Sequence, residues 1–464
     1  MNFPSFNQRL LWRLMLVPAI IMMVFFGVLF WSLNYAGDEY RFAVLFKTKK
    51  YFDVMHLLYF KESFRYATFT FYYLIYGVIK DSLFYPLIKL IVFSFLFIVW
   101  IISLKNILLF AVQKCPNFSI TTFQLYVLTM MFIAQLFFTT SQASEVWASV
   151  CGLICYIMPF IFLSFGISCC LFVGLKVIQY PSIILSSILV AGSAENVSLF
   201  LIITCSFFLL IFSPKINADF RRKFLLFFGA LFVASMVTYF SKGTLTRAQF
   251  DSVISNHCVP KNLTGYYVFT FYDLLLNLFS ARFWVGLILY FPWLIFGAIG
   301  SKNLELIECS KMVLKATLFL LLFCLMFHVA LTQFLFGNYG YMRIWFPVNF
   351  FTTLFFSSLF FYVGVRYLTR ISVHFLFVFF TIGITFCYCS IHIINMLKFN
   401  NAYYTRVNYL KDNSNIFVGK VISIETLPAS GILCSSDITS NPDHYMNYYF
   451  VTVHGLNFKV KLDK

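Results

Sequence analysis

Most charged residues in this chain lie in or beside the gaps between long apolar runs, and that spacing limits the fold more than any other feature. Of 464 residues, 61% are apolar and 11% charged, whereas soluble domains carry about 45–50% and about 25%. An α-helix crosses the hydrocarbon core with about 20 apolar residues. Within lipid, each segment must satisfy its own backbone, which selects helices. Transmembrane β-barrels alternate apolar and polar residues and lack such runs. The net charge of +17 does not indicate a nucleic-acid binder, because the basic residues lie between spans rather than on one soluble face. The expected fold class is an all-α polytopic membrane protein.

Eleven runs are expected to span the bilayer or re-enter it, near 13–33, 83–104, 118–138, 149–174, 182–192, 197–213, 224–240, 282–300, 312–331, 344–365 and 371–396. The fifth, between Pro181 and Glu195, has room for about 18 Å of helix. It is either a short span or one arm of a re-entrant hairpin over 181–213. Lys and Arg gather at the N-terminus and in every second loop: Arg9 and Arg13, Lys105 and Lys114, Lys176, Lys215 to Lys223, Lys302 to Lys315, Arg366 and Arg370. Such loops stay in the cytoplasm, so the N-terminus is expected to be cytoplasmic. The first run reads as a signal anchor rather than a cleaved signal peptide.

Three longer pieces then fall outside: 34–82, 241–281 and 397–464. The aromatic stretch 51–79 reads as one or two interfacial amphipathic helices. In the tail, VGKVISIETL and YYFVTVHGLNFKVKL alternate as strands do. The expected domains are a membrane domain, 1–396, and a small mixed or β-rich outer C-terminal appendage, 397–464. Most of the 12 Cys lie in apolar runs and read as small apolar residues. Cys258 and Cys434 lie outside, where they could pair. His328 and His392 sit in apolar runs and read as packing residues.

Because charge is scarce, its placement carries information. Asp38 and Glu39 follow the first span directly; adjacent acids there suit a general base and a second polar or metal contact. Glu145 precedes the fourth span, and Glu195 stands at the tip of the short fifth segment. An acid at membrane depth costs about 2.5–3.5 kcal/mol on insertion scales and usually faces a cavity. Arg65, Lys242, Arg247 and Arg343 lie at the same interface. Guanidinium groups there suit bidentate phosphate binding, although snorkelling to headgroups explains them as well.

Asp38-Glu39-Tyr40 just after the first helix resembles the acidic pair of GT-C-type glycosyltransferases, polytopic enzymes that use sugars on polyprenyl phosphates. The finer likeness is to bacterial and phage glucosyltransferases that modify O-antigen, the serotype-converting group. Trp147, Gly152 and Tyr156-Ile157-Met158-Pro159 resemble their fourth-span pattern, and Glu195-Asn196 their small-residue stretch ending in Glu-Asn. Gly243 to Arg247 resembles a later Pro-Gly loop, with Lys242 standing in place of Pro. Asn447-Tyr448-Tyr449-Phe450 resembles an element of the outer C-terminal segment.

The resemblance implies an inverting hexosyltransferase of the bacterial inner membrane, with its tail in the periplasm. It would move a sugar, expected to be glucosyl, from undecaprenyl phosphate to a lipid-linked glycan acceptor such as O-antigen. Asp38, or else Glu39, would be the base. Arg247, Arg343, Arg65 and Lys242 would hold the donor phosphate. Glu195, Asn196, Glu145, Trp147 and Tyr156 would orient sugar or acceptor, and Glu195 could instead order Arg343. No cofactor is required, although Mg2+ or Mn2+ could assist. An O-antigen polymerase, a flippase or transporter for lipid-linked oligosaccharides, and an inactive scaffold are the alternatives.

Overall fold

The computed structural model describes residues 5–33, 38–61, 65–78, 85–113, 120–140, 143–172, 175–212, 217–242, 286–299, 304–336, 345–367, 371–433 and 438–463. Along the chain, α1 is Ser5–Ser32, α2 Asp38–Thr48, α3 Tyr51–Lys61 and α4 Tyr66–Tyr72, which continues as a π-helical turn, Tyr73–Val78. Next come α5 (Tyr85–Gln113) and α6 (Thr122–Thr139). Short helices α7 (Ala143–Val146) and α8 (Val150–Gly152) lead through a second π-helical turn, Leu153–Ile157, into α9 (Met158–Leu171). Then follow α10 (Lys176–Ala191), α11 (Glu195–Phe212), α12 (Ala218–Tyr239), α13 (Phe291–Ile299), α14 (Leu304–Phe336), α15 (Phe346–Tyr367) and α16 (Ile371–Asp412). The tail adds α17 (Ser414–Phe417), β1 (Val421–Ile424), α18 (Tyr445–His454) and β2 (Lys459–Leu462).

Among the described residues, seven helices are long and apolar enough to cross a membrane: α1, α5, α6, the α8–α9 unit, α14, α15 and α16. The chain is a multi-pass, all-α membrane protein. Lys176–Ala191, Val197–Ser206 and Gly286–Ala298 are apolar but shorter. The expected short fifth segment is therefore a helix of 16 residues, about 24 Å long. The seventh run lies in α12. The second π-helical turn ends just before Pro159, whose ring nitrogen cannot donate into the helix.

Aromatic rings fill the bundle interior. Trp147 stacks on Phe26 at 5.5 Å and on Trp100 at 6.3 Å. Gln135 on α6 links three elements: its amide donates to the Leu289 carbonyl, and its Oε1 accepts from Trp293 Nε1 at 3.0 Å and Ser357 Oγ at 3.2 Å. A buried amide must find such partners or cost about 1–3 kcal/mol. α13 and α15 meet through glycines, Gly297 and Gly364, so closely that backbone lies on backbone.

The two ends of the bundle differ. At one end, Lys223 on α12 pairs with Asp219 at 2.6 Å and reaches the Phe172 carbonyl beyond α9. Arg13, Lys176, Arg221, Arg222, Lys315 and Arg366 are exposed toward that end. At the other end α1 stops, α5 begins, and Thr139 of α6 meets Thr353 of α15 at 2.7 Å.

The last helix runs on through the expected boundary at 397. α16 has 42 residues, about 63 Å of helix against a hydrocarbon core of about 30 Å. Its final stretch, with Lys398, Arg406, Lys411 and Asp412, continues as a stalk under the appendage. Of the two expected forms of the tail, mixed or β-rich, the structure shows the mixed one. β1 and β2 pair in parallel, Val421 opposite Lys459 through Ile424 opposite Leu462. Tyr445–His454, however, is helix. Met446, Asn447 and Phe450 fall on one helical face and are buried; tertiary burial overrides the strand preference of Tyr and Val. Asn447 donates to the carbonyls of Thr439 and Val460, both at 2.8 Å, so it fastens the appendage together. Gly455, at φ 66°, ends the helix in the left-handed region.

Candidate functional site

The two predicted acids open α2. Asp38 is its first residue, and its side chain lies outside the described residues. Glu39 is 1% exposed. Its Oε1 accepts the Cys151 backbone N–H at 3.0 Å, and the Val150 N–H and Tyr76 hydroxyl lie close enough to favour its charged form. Lys89, the fifth residue of α5, is wholly buried, with Nζ 4.1 Å from the centre of the Tyr85 ring, and its charge acts on Glu39. Both π-helical turns serve this acid. One carries Tyr76, and the other follows directly after Val150 and Cys151. Such turns widen the helix locally and recur at functional sites.

Burial pushes the Glu39 carboxyl up to about 7, against the pull of the Cys151 N–H, Lys89, Tyr76 and the Val150 N–H. The folded chain therefore keeps a proton there that the unfolded chain loses near its ordinary value of 4.5. The stability contributed by the protonated acid is complete below about pH 4.5 and is lost as pH rises through about 7, at most about 3 kcal/mol in all. Thermal midpoints of Glu39→Gln measured from pH 5 to 8 should fall less with rising pH than those of the wild type. Parallel curves would remove Glu39 as a buried titrating acid.

A second pair stands nearby. Arg65, just before α4, donates from Nε to Glu195 Oε2 at 2.7 Å, with both side chains less than one-fifth exposed. Burial works most strongly against the Arg65 charge, but Glu195, Cys155 and Tyr156 together outweigh it, and the guanidinium ends above its ordinary value. The loop holding them is tight. The Ala67 and Thr68 N–H groups, at the start of α4, both donate to the Gly192 carbonyl, at 3.0 and 3.3 Å. A Cβ on Gly192 would fall 2.3 Å from the Tyr66 ring. Beyond Glu195, the Tyr239 hydroxyl donates to its backbone carbonyl at 2.6 Å.

Glu39 and Arg65 both border α8 and the turn that follows it. Cys151 bonds Glu39, while Cys155, one turn later, meets the Tyr72 hydroxyl at 3.4 Å and, with Tyr156, lies close enough to act on the Arg65 charge. Gly152 makes this junction possible, because a Cβ there would fall 1.9 Å from the Glu145 carbonyl oxygen. Glu145 lies on α7, and its carbonyl accepts from Ser149 Oγ at 2.8 Å. Trp147 is inside the core, its Nε1 donating to Thr140 at 3.0 Å. Tyr156 is nearly buried, 8% exposed.

The structure thus brings Glu39, Arg65, Glu195, Glu145 and Tyr156 to one end of the bundle. Lys242 is exposed just past α12. Arg247, Arg343, Cys258 and Cys434 lie outside the described residues, as does the Asn196 side chain. His328 is buried against Trp345, with ring centres 5.0 Å apart, and His392 lies 4.3 Å from Tyr388. Among the described residues, no three His, Cys, Asp or Glu side chains gather as a metal cage. Sequence reasoning missed Lys89, Tyr76 and Tyr85. A lysine inside an apolar run was the available signal. No family model, no curated protein and no solved structure matches the chain.

Proposed function

We propose that the chain is an inverting, GT-C-type glycosyltransferase that moves a hexosyl residue from undecaprenyl phosphate to a lipid-linked glycan such as O-antigen. The observation that supports this reading is the meeting of two groups around α8 and the turn that follows it: Glu39, bonded by Cys151 and acted on by the Lys89 charge, and the Arg65–Glu195 ion pair, acted on by Cys155 and Tyr156, beside the helix that Asp38 opens. In this reading the N-terminus is cytoplasmic and the site lies on the periplasmic face of the inner membrane, with which the basic loops at the opposite end agree.

The acceptor hydroxyl attacks the anomeric carbon of the donor. Its oxygen bonds to that carbon as the bond to the phosphate oxygen breaks, and Asp38 takes the hydroxyl proton. Attack from the face opposite the leaving group inverts the centre. The departing undecaprenyl phosphate carries the electron pair, and guanidinium groups stabilise the developing charge. Arg65 is one of these, held in place by Glu195; Arg247, Arg343 and Lys242 are the others proposed. Glu39, fixed inside the protein, positions the start of α2. A divalent cation at the phosphate would supply the same charge compensation. A flippase reading fits less well. Among the described residues, the buried charged side chains of the membrane domain, Glu39, Lys89 and Lys223, lie near helix ends rather than midway along a passage.

The reading is tested by expressing the chain in bacterial hosts of differing O-antigen. Mass spectrometry should show a repeat unit heavier by one hexose residue in a permissive host. Unchanged masses in every host, with the protein present in the membrane, would overturn it.

A further inference from the structure

We propose that the appendage carries a saccharide-binding cleft on α18 in which the acceptor glycan is seated before transfer. Its role as the acceptor site rests on the transferase reading, whereas saccharide binding itself does not. The cleft, about 450 Å³, opens between α18 and β2, lined by Asp443, Tyr445, Tyr448, Tyr449, Phe458 and Lys459. Tyr445 and Tyr448 are 58% and 62% exposed. They stand one helical turn apart, and Tyr449 joins both, with ring centres at 6.2 Å and 5.6 Å. Asp443 and Lys459 pair at 2.6 Å on the rim and remain largely in water.

That chemistry fits a sugar. Aromatic faces pack on the apolar C–H side of a pyranose, phenol tips remain free to hydrogen-bond, and a carboxylate and an ammonium bind hydroxyls. Tyrosines also collect at bilayer interfaces, but these sit on an appendage beyond the polar end of α16, next to a solvated ion pair.

The opposite face of α18 ties the cleft to the site. Phe450 packs edge-on against Tyr40 at 5.8 Å. The Tyr40 hydroxyl meets that of Tyr403 at 3.0 Å, and Tyr403 meets His454 Nε2 at 3.0 Å. Burial, with Lys411 and Lys47 nearby, pushes the His454 imidazole down to about 3, so this chain of groups stays neutral and intact at physiological pH. Tyr40 follows Glu39 in α2 and lies two residues after Asp38. A glycan on the tyrosine face is thus one helix thickness from the residues that open α2.

The test uses the full chain purified in detergent and an array of delipidated bacterial O-antigen polysaccharides. At least one polysaccharide should be retained, and Tyr445→Ala/Tyr448→Ala should weaken it by about tenfold. Tyr448→Phe should restore most of the binding, since the ring face remains. Because both tyrosines are exposed, the double variant should keep its thermal midpoint. Retention of no polysaccharide, or equal retention by the double variant, would overturn the proposal. A double variant altered in membrane insertion but not in polysaccharide retention would do the same in favour of a headgroup anchor. If polysaccharide is retained through the tyrosines but no host glycan gains a hexose, the transferase reading fails and the cleft stands. If transfer proceeds with no retention, only the cleft fails.

Discussion

Gly364→Ala is expected to leave little folded protein. A Cβ at Gly364 would fall 2.0 Å from the Leu294 carbonyl oxygen and 3.0 Å from the Ala298 nitrogen. Its counterpart Gly297 is as confined, with Phe361 oxygen at 2.1 Å and Val365 nitrogen at 2.8 Å. These are backbone atoms, so no rotamer change relieves the overlap, and α13 and α15 must move apart. Ordinary overpacking costs about 1–3 kcal/mol, and this contact should exceed it because the obstacle is rigid on both sides. Separation would also strain Gln135, which spans Leu289, Trp293 and Ser357. Gly229 and Gly383 are the controls: a Cβ at either meets no atom within 4 Å, and alanine there should stabilise its helix by up to about 1 kcal/mol. Yield and thermal midpoint in detergent measure all three. A Gly364→Ala protein as stable as the controls would mean that the two helices do not touch through their backbones.

The membrane architecture was legible because lipid imposes one requirement, apolar length, that composition reports directly. The lengths of individual helices were less so. No continuous apolar run marks residues 397–412, yet α16 continues through them, with Phe399, Tyr403, Val407 and Leu410 buried at helical spacing; a helix already formed extends at little cost. The tail was misread at Tyr445–His454, where alternation and a buried helical face make competing claims on the same residues. Among the described residues, strand character survives only at Val421–Ile424 and Lys459–Leu462.

The candidate site was half legible. Scarcity of charge picked out Glu39, Arg65 and Glu195, but which groups face each other depends on topology. Arg65 and Glu195 are 130 residues apart, and no spacing rule connects them; from the sequence, Glu195 is expected to orient the sugar or order Arg343. Lys89 escaped because five residues into an apolar helix it looks like a snorkelling end. Gly152 stood within a short motif, but its need for a missing Cβ becomes evident only when α8 lies against the Glu145 carbonyl.

In the proposed mechanism Asp38 is the base because it opens α2 beside an acid already committed to the interior. Glu39 cannot share that task equally, since its carboxyl is engaged by Cys151 and held opposite Lys89. Removing a positioned general base typically costs about 10²–10⁴ in rate. The loss should fall on kcat, with the donor KM changed only a few-fold, because the proton moves in the transition state rather than on binding. Glu39→Gln keeps the shape of the buried amide-sized group and should cost about tenfold or less. The most direct measurement is the initial rate of hexose transfer from an undecaprenyl-phosphate donor by Asp38→Asn in proteoliposomes, at equal protein loading. A fall of about a hundredfold or more, with the donor KM preserved, is the expected result; transfer at the wild-type rate would contradict the assignment of this end of the bundle as a catalytic centre led by Asp38.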